Sequence, residues 1–150
     1  MLNCEVLNTI RDSKDWVLIG VSGDKDKFSR YVYSELEAKG FRLHAVNPNA
    51  GNGDIRFVKS CGDIKDRPRL AVLFTLPSET LKAVKEAEKA GISAFFIQQG
   101  AESHEALEYL DNNKLHYIDK SCILMFAEPV KSFHRFHRWL WKISGKLKVA

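Results

Sequence analysis

The sequence predicts one α/β domain: a doubly wound, mainly parallel sheet followed by a C-terminal basic amphipathic helix. Two observations predict the sheet. Short, continuously apolar runs recur along the chain, and helical patterns of about three turns separate them. A third is size: 150 residues, 45% hydrophobic and 28% charged, is the length and composition of a single globular domain.

The elements follow in order. Trp16-Val17-Leu18-Ile19-Gly20-Val21 has the apolar continuity of a strand buried on both faces. After a Gly/Ser/Asp loop, Phe28, Val32 and Leu36 recur at helical spacing, and Lys39-Gly40 supplies a helix end. Phe41 to Val46 reads as the second strand, stopped by Asn47-Pro48-Asn49. Residues 49–54 are expected to be the most flexible stretch, and Ile55 to Pro68 admits one short strand and one helical turn. Leu70 to Thr75 is the next buried strand. Pro77-Ser78-Glu79 then opens a helix with Leu81, Val84, Ala87 and Ala90 on one face and Gly91 beyond its end. Ser93 to Ile97 is a strand, Glu102 to Asn113 a helix, and Leu115 to Ile118 the last strand. Strands alternating with helices imply right-handed crossovers on a parallel, Rossmann-like sheet.

The net charge of +4 comes from 23 basic and 19 acidic residues, unevenly placed. From Pro129 onward there are six basic residues (Lys131, Arg135, Arg138, Lys142, Lys146 and Lys148) and no Asp or Glu. The first 128 residues are therefore slightly acidic, and nucleic acid is not an expected partner. Three widely spaced cysteines, Cys4, Cys61 and Cys122, without C-x-x-C, exclude a disulfide scaffold and a cysteine-built zinc site. They fit a reducing compartment. With no basic-then-apolar leader and no bilayer-length apolar run, the expected location is cytoplasmic.

In such a sheet, ligands sit at the carboxyl ends of the strands, where the winding reverses. The loop Gly20-Val21-Ser22-Gly23-Asp24-Lys25-Asp26-Lys27-Phe28-Ser29 runs from a strand into a helix start. It offers backbone amides, the hydroxyls of Ser22 and Ser29, and the charges of Lys25 and Lys27 to a phosphate. The second strand ends at Val46-Asn47-Pro48. No carboxylate stands where an NAD site would hold the ribose, so NAD(P) is the alternative ligand rather than the first.

Five motifs in order carry a resemblance: Gly20-Val21-Ser22, Val46-Asn47-Pro48, Phe74-Thr75-Leu76-Pro77, Ile97-Gln98-Gln99-Gly100 and Asp119-Lys120-Ser121-Cys122. Over residues 14–125 the chain resembles the small stand-alone CoA-binding proteins, relatives of the nucleotide-binding domain of the succinyl-CoA synthetase alpha subunit. The resemblance implies coenzyme A with its phosphates at the Gly20–Ser22 turn and its adenosine near Asn47-Pro48 and Thr75-Leu76-Pro77. Gln98 and Cys122 close the expected site. The chain departs from the family at Thr75 and Leu76, where many members are basic, and at residues 49–54, which contain no Lys or Arg.

No catalytic residue is expected. Cys122 beside Lys120 is the one candidate nucleophile at the pocket end, yet Cys122-Ile123-Leu124-Met125-Phe126 reads better as core. His44, His104 and His116 form no triad with a serine and a carboxylate. His134 and His137 share a helix face, but Arg135 and Arg138 crowd them, so no metal is expected. The expectation is a CoA or acyl-CoA binding protein without chemistry of its own. An NAD(P)-binding sensor or oxidoreductase on the same fold is the alternative. Residues 1–128 would form the binding domain. Residues 129–150 would form a helix whose stripe Phe133, Phe136, Leu140, Ile143 and Leu147 docks on the sheet or across a homodimer, in preference to lying on a membrane surface.

Overall fold

The computed structural model describes residues 3–51 and 53–129. The amphipathic helix expected beyond residue 129, with its docking or dimer contact, lies outside the described residues. Within them the architecture is the expected α/β one, with a six-stranded sheet that is parallel throughout.

The first element, α1 (Cys4–Asp12), is one the sequence reading did not anticipate. Asn3 caps it, its side chain accepting from the amides of Glu5 at 3.0 Å and Val6 at 3.4 Å. Only Val6, Thr9 and Ile10 are buried on it, too few for a distinct helical period. Strand β1 (Asp15–Ile19) follows and ends at Gly20, whose φ of 87° no strand can continue. Helix α2 (Phe28–Ala38) closes at Gly40, also left-handed, with the Phe41 amide returning to the Leu36 carbonyl at 3.1 Å. Strands β2 (Arg42–Val46) and β3 (Phe57–Val58) and a 3-10 turn at Cys61–Asp63 come next, so the ambiguous stretch resolves into one short strand and one turn. Then β4 (Leu70–Leu73), α3 (Pro77–Lys89), β5 (Ala94–Gln98), α4 (His104–Asn112) and β6 (His116–Ser121) alternate. A second 3-10 turn, Ile123–Met125, ends the described chain's regular structure.

Strand β6 runs three residues further than its apolar pattern suggested. It extends through Asp119 and Lys120 (φ 53°) to Ser121, with an irregularity in its pairing between Phe96 and Gln98.

The strand order is β3-β2-β1-β4-β5-β6. The chain winds outward from β1 to β3, then returns to pair β4 with the other side of β1. Side chains along β1 alternate between two cores: Trp16 and Leu18 face Val6, Ile10, Val32 and Leu36 from α1 and α2, while Val17 and Ile19 face Val84, Ala87 and Leu110 from α3 and α4. Apolar burial on both faces is why the strands read as continuous apolar runs rather than alternating ones. The winding reverses between β1 and β4, which fixes where the two diverging loops leave a crevice.

Candidate functional site

The crevice is framed by the loops after β1, β2 and β4. Ile19 pairs with Val46 on one side and Leu73 on the other, so the three strands end level. The Gly20 amide donates to the Val46 carbonyl at 2.9 Å, and the Phe74 amide to the Ile19 carbonyl at 2.8 Å. The approach is close enough to demand glycine: a β-carbon at Gly20 would lie 3.0 Å from the Thr75 nitrogen and 3.1 Å from the Phe74 carbonyl carbon.

Beyond Gly20, the chain turns on local hydrogen bonds. Val21 is buried, and its carbonyl accepts from the Asn47 side chain at 2.9 Å, while the Asn47 oxygen accepts from the Asn49 amide at 2.9 Å. Asn47 thus holds two loops together. The Ser22 amide donates to the Ser29 hydroxyl oxygen at 3.0 Å, and the Asp24 amide to the Ser22 hydroxyl oxygen at 3.0 Å. Neither hydroxyl proton has an acceptor among the described residues.

Helix α2 starts at this turn with Lys27 as its N-cap, no side-chain cap and no acidic residue in its first turn. The other three α-helices among the described residues have a first-turn carboxylate, from Glu5, Glu79 or Glu105. The amino end of α2 therefore has no carboxylate within its first turn to offset its partial positive charge, the electrostatics that favour a phosphate. Phe28 and Tyr31, on its first turn, are half exposed with their rings 6.3 Å apart.

On the β4 side, Thr75 bonds through its hydroxyl to Thr80 at 2.7 Å, and the buried Thr80 hydroxyl reaches the carbonyls of Leu76 and Ala101. This anchors the entry to α3. Leu76 projects into solvent with 72% exposure, and Pro77 occupies the first helical position.

The structure thus brings together Gly20, Val21, Ser22, Lys27, Phe28, Ser29, Asn47, Pro48, Thr75, Leu76 and Pro77 at one edge of the sheet. Gln98 and Cys122 stand at that same edge but two and three strands from Gly20, roughly 10–15 Å at the usual strand spacing. Gln98 is buried, and its side-chain oxygen accepts from the Ile123 amide at 3.1 Å, tying β5 to the chain after β6. Cys122 is half buried against the core. His44 pairs with Asp15 at 2.7 Å toward the amino end of β1, away from the crevice. Among the described residues, no group of three His, Cys, Asp or Glu could hold a metal ion.

Two residues that the sequence does not mark as part of the site sit at the loop. Arg30 is almost fully buried and donates to the Gly23 carbonyl at 3.2 Å and to Asp54 at 2.6 Å. Asp54 comes from the connection between β2 and β3. No local pattern marks either one, since Arg30 lies 24 positions from its partner and looks like any helix-surface cation.

Cys61 is buried. Burial, then the charge of Glu86, pushes its thiol up to about 11. Burial and the hydrogen bond to Asp111 push the Tyr117 phenol up to about 12. Both groups bind their protons more tightly folded than unfolded. Their contribution is complete below pH 9 for the thiol and below pH 10 for the phenol, and is lost as pH rises through 11 and 12. Stability should therefore fall between pH 9 and 12, by about 2 kcal/mol from Cys61. Urea unfolding across that range, with Cys61→Ala showing a flatter profile, checks this.

A family model described as CoA binding domain matches residues 14–128. No curated protein matches. Among solved structures, a conserved hypothetical protein from Pyrococcus furiosus is 28% identical with a TM-score of 0.68, over 73% of this chain and 95% of that one. A hypothetical protein from Pyrococcus horikoshii aligns with a TM-score of 0.75 at 23% identity, over 84% of this chain and 89% of its own. A protein from Thermus thermophilus gives 0.74 at 19%, over 85% and 97%. The last two show the fold. No described helix is long and apolar enough to cross a membrane.

Proposed function

The chain belongs to the CoA binding domain family, and from that premise we propose that it holds coenzyme A or an acyl-CoA in the crevice between the β1 and β4 loops. The observation that carries the reading is the amino end of α2, with no side-chain cap and no acidic residue in its first turn, set against the Gly20–Ser22 turn. The pyrophosphate would lie there, contacted by the Ser22 and Ser29 hydroxyls and the Lys27 charge. Asn47-Pro48 and Thr75-Leu76-Pro77 would flank the adenosine. The exposed faces of Phe28 and Leu76 offer apolar area to the pantetheine or acyl portion.

The same geometry supports a binding module over an enzyme. The buried thiol of Cys61 holds its proton, and the His44–Asp15 pair lies away from the crevice. NAD(P) is the weaker ligand because a ribose would meet Asn47, whose amide and oxygen are both engaged in holding loops. Calorimetric titration tests the ranking: CoA should bind at least tenfold more tightly than NAD, and equal or tighter NAD binding would overturn it.

A further inference from the structure

The positive end of α2 is already partly answered from within the chain. Arg30, its side chain only 5% exposed, has Nη1 on the Gly23 carbonyl, Nη2 on Asp54 at 2.6 Å, and a buried Nε with no partner among the described residues. The ammonium of Lys25 lies 3.6 Å from the same Asp54 oxygen and is largely exposed. One half-exposed carboxylate oxygen thus serves two cations, and one guanidinium N–H goes unanswered. Together with Asp24 and Asp26, Asp54 balances Lys25, Lys27 and Arg30; without it the loop carries a net positive charge at a helix N-terminus.

We propose that Lys25 and Arg30 form a phosphoryl-binding subsite that Asp54 occupies in the unliganded protein, so that a ligand phosphate binds by displacing this carboxylate. A phosphate has more acceptor oxygens and more charge than a carboxylate, and so can answer Lys25, Nη2 and the orphaned Nε together. The Arg30 hydrogen bond, helped by Lys25, holds the Asp54 carboxyl below the usual carboxylate range, so the competitor is a charged carboxylate at neutral pH. The inference rests on the CoA reading for the identity of the ligand, but not for the cations. It also accounts for a loop after β2 that contributes a carboxylate and no cation of its own within residues 49–54.

The test uses inorganic pyrophosphate, which has neither adenine nor pantetheine, with thermal midpoint followed against its concentration. Asp54→Asn should bind pyrophosphate at least tenfold more tightly than the unaltered chain. Asp26→Asn removes the same charge from the adjoining loop between β1 and α2 without touching an Arg30 hydrogen bond, and should change affinity less than twofold. Lys25→Gln, at an exposed position that does not threaten folding, should weaken it about fivefold. Equal tightening in the two Asn variants would reduce the effect to general charge and overturn the proposal. So would no tightening in Asp54→Asn, which would make the ion pair structural only. If Asp54→Asn does not fold, an unchanged affinity in Lys25→Gln overturns it alone. A protein that binds CoA while failing these arms retains the CoA reading and loses only the displacement.

Discussion

Replacing Gly20 with valine should abolish nucleotide binding and give the largest loss of stability of any single change at the crevice. Gly20 has a φ of 87°, where a side chain costs about 1–2 kcal/mol and a β-branched one more. The new β-carbon would also press on the backbone of Phe74 and Thr75, at 3.1 and 3.0 Å, and that backbone is held by β4 and cannot turn aside as a side-chain tip would. Overpacking of this kind adds about 1–3 kcal/mol. Gly40 separates the two terms, since it has nearly the same φ, 83°, and nothing within 4 Å of its would-be β-carbon. Gly40→Val should therefore lose only the conformational part. At about 2–4 °C per kcal/mol for a chain of this size, thermal unfolding resolves the two. If both variants melt together, the contact between the β1 and β4 loops is not what requires glycine at position 20.

Ser22→Asp should weaken CoA at least tenfold while the fold persists. A carboxylate there can still accept from the Asp24 amide, the bond that the Ser22 hydroxyl oxygen makes now at 3.0 Å, so the turn keeps its local support. What changes is the charge facing the amino end of α2, where a phosphate would meet an anion. Tenfold corresponds to about 1.4 kcal/mol, within reach of one charge-assisted hydrogen bond lost and one repulsion gained. Calorimetry on the folded variant measures it. An unchanged affinity would move the phosphates away from Ser22 and with them the reading of the crevice.

The legible part of the fold was its local periodicity. The runs at Trp16–Val21, Leu70–Thr75 and Ser93–Ile97 became β1, β4 and β5, because a strand buried on both faces needs apolar residues without interruption. Pro77 at the start of α3 and Gly91 past its end stood where helix termini require them. Helix α1 was not legible, since its existence rests on an Asn3 cap and a short buried face. The polar end of β6 was not either, because Asp119–Ser121 is held by pairing with β5 rather than by its own pattern.

At the crevice, the glycine-serine turn and the Asn-Pro strand end were visible in the sequence, but not what joins them. The sequence presents Asn47 as a ligand residue, and the structure shows it first as a strut between its own loop and Val21. Gln98 is likewise committed to the Ile123 amide.

By itself, then, the sequence determined the alternation of elements, the parallel winding and the glycine- and serine-containing loop after β1, because each depends on side chains close together along the chain. Only the tertiary structure decided that Gly20 meets the Thr75 backbone, that Asn47 braces Val21, and that Asp54 sits on Arg30 and Lys25. Those contacts join segments tens of residues apart. They exist only once burial of both sheet faces has made β2 and β4 the neighbours of β1, and no short-range pattern can carry that information.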